Sequence, residues 1–269
     1  MIISNDFTKA YNTLCINYGE YNVFYDFVKM CAITIYNSFA KNQELEQEYL
    51  HIINSYSKEE QKLFPKMFCE LIMEFERQYK LNGPTDILGP IYEMENLKNA
   101  QLGQFFTPSH ISNCISKITI NEIENIEQQI EKNGFITLCE PTCGAGGLVL
   151  SFASTLQQNN INYQNSLLVE ATDISDFCAY MTYIQFSLYG IPATVYCGDC
   201  LTKKMRFKME TPLFFLNYWK FRRFYTKDKH DTSENGKKST EIKNVIESEN
   251  QNLNLKEVII KGNCQITLW

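Results

Sequence analysis

Three glycines within four positions, Gly144, Gly146 and Gly147, separate two apolar segments of different periodicity. The segment before them, FITLCE at 135–140, is a short apolar run typical of a buried strand, and residues 147–158 after them have the apolar spacing of a helix. Glycine allows a sharp bend and a close approach of ligand to backbone, and the first N–H groups of a helix lack partners within the helix. This order of segments predicts a ligand-binding loop in an α/β protein.

The same alternation continues along the chain. Residues 166–171 and 193–197 predict two further strands, and the segment between them, DFCAYMTYIQFSLYG at 176–190, predicts a helix that ends at Gly190. Strands that alternate with helices are typical of a parallel sheet covered by helices. Such sheets bind ligands at the carboxyl ends of their strands.

The rest of the chain differs in composition from this region. Apolar residues at spacings of three and four predict helices near the N-terminus, with a capping box at Ser57 and Glu60, and a short helix is expected around residues 90–98. The predicted divisions are a helical N-terminal domain at 1–82, the α/β domain at 83–225, a disordered linker at 226–254 and an apolar tail at 255–269.

Composition excludes several classes of protein. No apolar run reaches the roughly 20 residues of a membrane span, and no secretory signal is visible, so we expect a cytoplasmic protein without membrane contact. The ten cysteines are scattered in apolar context and are interpreted as reduced core thiols. The only CxxC, Cys197 to Cys200, has no second pair, so no metal site is expected. The net charge of −6 argues against a broad nucleic-acid surface but allows a local one.

The glycine spacing excludes two common phosphate-binding loops. Position 149 is Val, so the GxGxxG fingerprint of nicotinamide cofactors is absent, and no Gly-Lys-Ser/Thr is present for a P-loop. Instead, an acidic residue ends or follows each of the three strands: Glu140, Asp173 and Asp199. Asp173 could accept hydrogen bonds from ribose hydroxyls, and Asp199 could bind an adenine amine. The alternative is that Asp173 and Asp199 cap the helices that follow them.

Four segments together resemble a known family: GQFFTP at 103–108, EPTCGAGG at 140–147, TDI at 172–174 and GDCL at 198–201. They are similar to the successive motifs of S-adenosylmethionine-dependent adenine-N6 DNA methyltransferases, especially type I modification subunits and small relatives on mobile elements. The resemblance covers roughly residues 85–205. It implies a Rossmann-like class I methyltransferase fold, with S-adenosylmethionine as the cofactor and DNA as a partner.

The resemblance also implies a role for each matching residue. Thr107 at the N-cap and Pro108 at the first helical position would open a helix whose end receives the cofactor carboxylate, which agrees with their capping preferences. Phe106 would pack against the cofactor, or simply belong to the core. The remaining roles are Glu140 and the backbone of Cys143, Gly144 and Gly146 for the methionine portion, Asp173 for the ribose, Ile174 for the adenine face and Asp199 for the adenine amine. The Cys143 side chain is interpreted as a small packing residue, since no His/Asp relay is visible nearby.

The catalytic motif of the family is missing. Members carry Asn/Asp-Pro-Pro-Tyr/Phe after a fourth strand, to accept hydrogen bonds from the target amine and to stack the extruded base; this chain has no Pro-Pro. The candidates at the expected place are Thr211, Pro212 and Phe214, or alternatively Asn217, Tyr218 and Trp219. The competing hypotheses are a subunit that binds cofactor or DNA without methylating alone, and methylation of RNA or protein.

Two segments suggest partners. Residues 220–240 carry seven Lys/Arg against three acidic residues, and aromatic residues interleave their start, which is typical of a nucleic-acid contact or of a core strand followed by a solvated linker. No large recognition domain follows, so target choice would need the N-terminal helices, or a specificity or restriction subunit.

The segment from Gln265 to Trp269, QITLW, resembles the peptide with which bacterial proteins bind the DNA sliding clamp. The alternative is that it forms a strand of the protein's own sheet, as part of a hairpin.

Overall fold

The computed structural model describes residues 3–94, 106–120, 123–216, 219 and 265–267. Within these residues, no helix is long and apolar enough to cross a membrane. The predicted linker at 226–254 and the basic stretch at 220–240 lie outside the described residues.

The N-terminal part consists of helices, as predicted. They are α1 (Asn5–Tyr18), α2 (Glu20–Ala40), α3 (Gln43–Ile53), α4 (Lys58–Gln61) and α5 (Leu63–Asn82). The capping box is confirmed: the Ser57 N–H donates to Glu60 Oε2 at 2.9 Å, and the Glu60 N–H donates to Ser57 Oγ at 3.4 Å. Phe24 of α2 packs against Phe177 with ring centroids 5.7 Å apart, so these helices share one core with the sheet that follows.

The remaining elements form the α/β part. In chain order they are α6 (Leu88–Met94), α7 (Ser109–Ile120), α8 (Ile123–Asn133), β1 (Ile136–Glu140), α9 (Gly147–Gln158), α10 (Tyr163–Ser166), β2 (Leu167–Asp173), α11 (Asp176–Tyr189), β3 (Ala193–Asp199), β4 (Lys204–Glu210), α12 (Pro212–Leu216) and β5 (Gln265–Thr267). The predicted strands and helices around the glycines are confirmed. The short helix predicted at 90–98 begins earlier, at Leu88, because the Asp86 carboxylate accepts the Gly89 N–H at 2.8 Å at its start.

Within the described residues, five strands form one sheet at the centre of this part, with the order β4-β3-β2-β1-β5. Strands β1, β2, β3 and β5 are parallel, as the sequence predicts for the first three. Glu140 pairs with Ala171, and Asp173 pairs with Cys197, so the carboxyl ends of these strands lie along one side of the sheet. We call this side, bounded by Glu140, Asp173 and Asp199, the carboxyl edge.

Strand β4 is antiparallel, which the sequence analysis did not predict. It pairs with β3 from Asp199 opposite Lys204 to Thr194 opposite Glu210. Four residues form the turn, where Lys203 has a left-handed φ of 58°, and so short a connection cannot make the crossover that a parallel strand needs. The chain after Glu210 therefore emerges at the opposite end of the sheet from the carboxyl edge.

This placement corrects the first prediction for the catalytic residues. Thr211 Oγ1 donates to the Ile191 carbonyl at 2.7 Å and accepts the Ala193 N–H at 2.9 Å, at the amino end of β3. Pro212 is the first residue of α12, and Phe214 is buried. The structure does not bring Thr211, Pro212 or Phe214 to the carboxyl edge.

The alternative catalytic residues are Asn217, Tyr218 and Trp219, and the one that the structure describes, Trp219, also lies away from the carboxyl edge. Trp219 is fully buried and packs edge-on against Phe135, with ring centroids 5.2 Å apart. Phe135 immediately precedes β1, so Trp219 also lies at the amino end of the sheet. Asn217 and Tyr218 lie outside the described residues.

Strand β5 bears on the predicted clamp-binding peptide. Gln265, Ile266 and Thr267 pair in parallel with Thr137, Leu138 and Cys139 of β1. These three residues thus form a strand of the protein's own sheet, the alternative that the sequence left open, although as a parallel partner of β1. Docking of this peptide on a clamp would require it to leave the sheet.

We expect Thr211→Val to lower the free energy of unfolding by about 2 kcal/mol, because it leaves a buried N–H and a buried carbonyl without the hydroxyl that binds them. Urea denaturation measures this change. The matched control is Thr13→Val on the exposed side of α1, expected within about 0.5 kcal/mol of the wild type. Unchanged unfolding of Thr211→Val would contradict the structural role.

Candidate functional site

The loop at residues 141–146, which we call the glycine loop, connects β1 to α9 at the carboxyl edge. Gly144 and Gly146 have left-handed φ values of 54° and 92°. A Cβ at Gly146 would also come within 2.7 Å of Phe186 Cε1, so both backbone angle and space require glycine there. The Cys143 N–H donates to the Thr172 carbonyl at 2.8 Å and fixes the loop to β2.

Helix α11 binds the loop from its other side. Thr182 Oγ1 donates to the Gly144 carbonyl at 2.8 Å, and Gln185 Nε2 donates to the Ala145 carbonyl at 2.6 Å. The Gly144 carbonyl and the Ala145 N–H belong to the same trans peptide and point in opposite directions. Because the carbonyl points toward Thr182, the Ala145 N–H points away from α11. The Cys143 thiol is buried beside Thr182, and this burial raises its pKa well above the ordinary value. A protonated buried thiol fits the packing role predicted for it.

Asp173 lies directly on the glycine loop. Its Oδ2 accepts the Gly144 N–H at 2.8 Å, and its Oδ1 accepts the Ser175 N–H at 2.8 Å. Burial raises the pKa of this carboxyl, and the hydrogen bonds from Ser175 and Gly144 oppose the shift. Ser175, not Asp173, caps α11, since Ser175 Oγ accepts the Cys178 N–H. The capping alternative for Asp173 therefore does not hold.

Glu140, the last residue of β1, is only 1% exposed. Its Oε1 accepts the Thr142 N–H at 3.1 Å, whereas its buried Oε2 has no hydrogen-bond partner among the residues that the structure describes. Burial raises the pKa of this carboxyl to about 7, and the bonds from Thr142 partly offset the shift. Because an unpaired buried carboxylate oxygen is costly, a cationic donor from a ligand fits this position.

The segment before α7 reaches the same loop. A Cβ at Gly144 would lie 2.9 Å from Phe106 Cδ1, so the Phe106 ring covers Gly144, and it also packs on Tyr92 with centroids 5.3 Å apart. The Pro108 carbonyl accepts the Ser112 N–H at 3.1 Å, the first bond of α7. The cap position is thus Pro108, one residue later than the predicted Thr107.

A cavity of about 640 Å³ adjoins this segment. Phe106, Thr107 and Pro108 line one side of it, and Gly147, at the start of α9, lines another. The residues before α7 and the start of α9 are therefore neighbours in space.

Asp199 and Ile174 lie at the outer part of the carboxyl edge. Asp199 Oδ1 accepts the N–H groups of Leu201 at 2.9 Å and Thr202 at 3.3 Å. Bonds from the Thr202 hydroxyl and from these backbone groups lower the pKa of Asp199. Asp199 therefore stabilises the turn between β3 and β4 rather than a helix. Ile174 is 66% exposed, and its carbonyl accepts a hydrogen bond from Arg206.

Two polar residues that support the loop from behind are absent from the site residues predicted above. Thr182 and Gln185 stand in an apolar helix, and both are fully buried. Polar side chains at the buried positions of such a helix were the available signal, because a buried polar group must have a specific partner. Their partner proved to be the glycine loop.

Residues 83–260 match the family described as N-6 DNA methylase. No curated protein matches the chain. Among solved structures, the chain is similar to a Listeria monocytogenes protein described as a candidate class I S-adenosylmethionine-dependent methyltransferase, with 15% identity and a TM-score of 0.37. That similarity covers 73% of this chain and 53% of the other, so this chain spans about half of the length of that protein.

The family match covers well over half of the chain and includes the glycine loop, Glu140, Asp173 and Asp199. It gives S-adenosylmethionine as the cofactor, and the carboxyl edge is the part of the sheet where such folds bind it. The chain belongs to the N-6 DNA methylase family, and its fold is a mainly parallel sheet flanked by helices.

Proposed function

We propose that this protein is a DNA methyltransferase that transfers the methyl group of S-adenosylmethionine to the N6 amine of adenine. The observation that carries the proposal is the unpaired Glu140 Oε2, buried beside a glycine loop at the carboxyl edge of a sheet of this family. The sequence of this loop matches neither a P-loop nor the GxGxxG fingerprint of nicotinamide cofactors.

The chain offers a partner for each polar part of the cofactor. Glu140 would bind the α-ammonium group, and the start of α7 at Thr107 and Pro108 would receive the carboxylate, since helix N-termini favour anions. Asp173 would bind the ribose hydroxyls. Asp199 would bind the adenine amine, beside the exposed Ile174.

The chemistry determines what the protein must add. The bound cofactor supplies an electrophilic methyl group on a sulfonium. The target adenine must leave the base stack, and its amine, whose lone pair is delocalised into the ring, must donate its hydrogens to the protein. The order of strands reverses between β1 and β5, and open α/β sheets bind ligands where this reversal occurs. We infer that the base enters from the β5 side of the glycine loop.

A second candidate function is a subunit that binds cofactor and DNA but transfers no methyl group alone. The positions of Thr211, Phe214 and Trp219 at the amino end of the sheet favour it. The absence of Pro-Pro from the sequence does so too. Such a chain would need a partner, such as a specificity or restriction subunit, to complete the reaction.

The decisive assay uses tritiated S-adenosylmethionine and unmethylated duplex DNA, followed by nucleoside analysis. We expect label in N6-methyladenine, and none with the same duplex methylated beforehand on every adenine or with Asp173→Ala. Saturable cofactor binding without labelled DNA, with or without candidate partner subunits, would favour the second candidate. Label in cytosine, RNA or protein would contradict adenine as the target.

We also expect cofactor affinity to rise about tenfold from pH 6 to pH 8. Glu140 has a pKa of about 7 in the free protein, and an ammonium partner lowers it, so binding below pH 7 must release a proton. Calorimetry in buffers of different ionisation enthalpy measures both affinity and proton release.

The control for this prediction is Glu140→Gln, which keeps the shape of the side chain and removes its titration. It should bind more weakly and lose most of the dependence on pH. A wild-type affinity that stays flat or falls from pH 6 to pH 8 would show that Glu140 does not bind the ammonium group.

A further inference from the structure

Gln185 connects three segments of the protein through one buried amide. Its Nε2 donates to the Ala145 carbonyl at 2.6 Å and to Asp86 Oδ1 at 2.8 Å. Its Oε1 accepts the N–H groups of Ile87 at 2.8 Å and Leu88 at 3.3 Å. Both donors and both acceptor positions of the amide are thus used, in a side chain that is 0% exposed.

The segment at 83–88, which we call the connector, leads from the N-terminal helices to α6. Asp86 accepts the Gly89 N–H in addition to the Gln185 amide. It also lies against the start of α9, where a Cβ at Gly147 would be 3.4 Å from Asp86 Oδ2. Through Gln185, the connector is therefore two hydrogen bonds away from the glycine loop.

The peptide group that Gln185 binds needs such a support. Ala145 stands between Gly144 and Gly146, and both of these are in left-handed conformations. Peptides next to glycine can rotate at little steric cost. The N–H of this peptide, which belongs to Gly146, donates to the Cys143 carbonyl at 2.7 Å, and Gln185 binds its carbonyl, so the two bonds together fix its direction. Thr182 and Gln185, three residues apart on one face of α11, hold two successive carbonyls of the loop.

We propose that Gln185 is a positioning residue for the cofactor loop, and that it makes the affinity for S-adenosylmethionine depend on the connector. Its amide binds the Ala145 carbonyl of the loop and the Asp86 carboxylate of the connector at the same time. A well-ordered connector therefore stabilises the loop, and a well-ordered loop stabilises the connector. The predicted effect on S-adenosylmethionine affinity rests on the proposed cofactor role of the loop. The predicted effect of Gln185 on the order of the loop does not depend on that role.

The test compares Gln185→Met with Ile184→Val in the full chain. Met has nearly the volume of Gln and suits a helix, but it cannot form the four hydrogen bonds. Ile184 is the neighbouring residue, fully buried in the core and not bonded to the loop, so its variant controls for general loss of stability. We measure amide hydrogen exchange of residues 142–147 without cofactor, and calorimetric affinity for S-adenosylmethionine.

We expect Gln185→Met to exchange in the loop at least tenfold faster than the wild type and to bind at least tenfold more weakly. Ile184→Val should stay within twofold on both measures. Asp86→Ala should weaken binding in the wild-type background but not further in Gln185→Met, because Gln185 carries the coupling. Equal exchange and affinity in the Gln185 and Ile184 variants would overturn the proposal.

If Gln185→Met does not fold, Thr182→Val provides the test, because it removes the bonds from Thr182 Oγ1 to the Gly144 carbonyl and to Cys143 Sγ but leaves Gln185 in place. Faster exchange of the loop in this variant supports positioning by α11, and unchanged exchange overturns it. If the wild type binds no S-adenosylmethionine, the proposed function fails, while the exchange measurements still decide whether Gln185 orders the loop.

Discussion

The glycine loop has a defined backbone because buried polar side chains bind it on two sides. Asp173 accepts the Gly144 N–H, while Thr182 and Gln185 of α11 bind the two carbonyls that follow. A loop of this composition has many conformations in isolation, and the free energy for selecting one must come from these neighbours. The same contacts explain why an otherwise apolar helix carries polar residues at buried positions.

The proposed function depends on where the sheet places this loop. The parallel register aligns the ends of β1, β2 and β3, so that one acidic residue from each strand lies along one edge. Each acid has a different environment: Glu140 is buried with an unpaired oxygen, Asp173 is bound to the loop, and Asp199 lies in an exposed turn. In the proposed function, these differences suit three distinct roles toward a nucleoside with a cationic amino-acid part.

The sequence predicted what is local and missed what depends on distant contacts. Periodicity and glycine spacing located β1, β2, β3 and the helices between them, because each pattern reflects burial of one element. The β3–β4 hairpin was missed because its turn uses a left-handed Lys203 rather than a glycine. This error moved Thr211 to the wrong end of the sheet, where its hydroxyl binds β3. The bonds of Gln185 to residues near position 86 could not be read from sequence spacing at all.

The most direct test is a crystal structure of the protein with S-adenosylhomocysteine, which lacks only the transferable methyl group. We predict that the ligand's ammonium group lies within hydrogen-bond distance of Glu140 Oε2, with its adenosine along Asp173 and Asp199 at the carboxyl edge. A ligand bound elsewhere, or a Glu140 that stays buried and unpaired while the glycine loop remains covered by Phe106, would contradict the account.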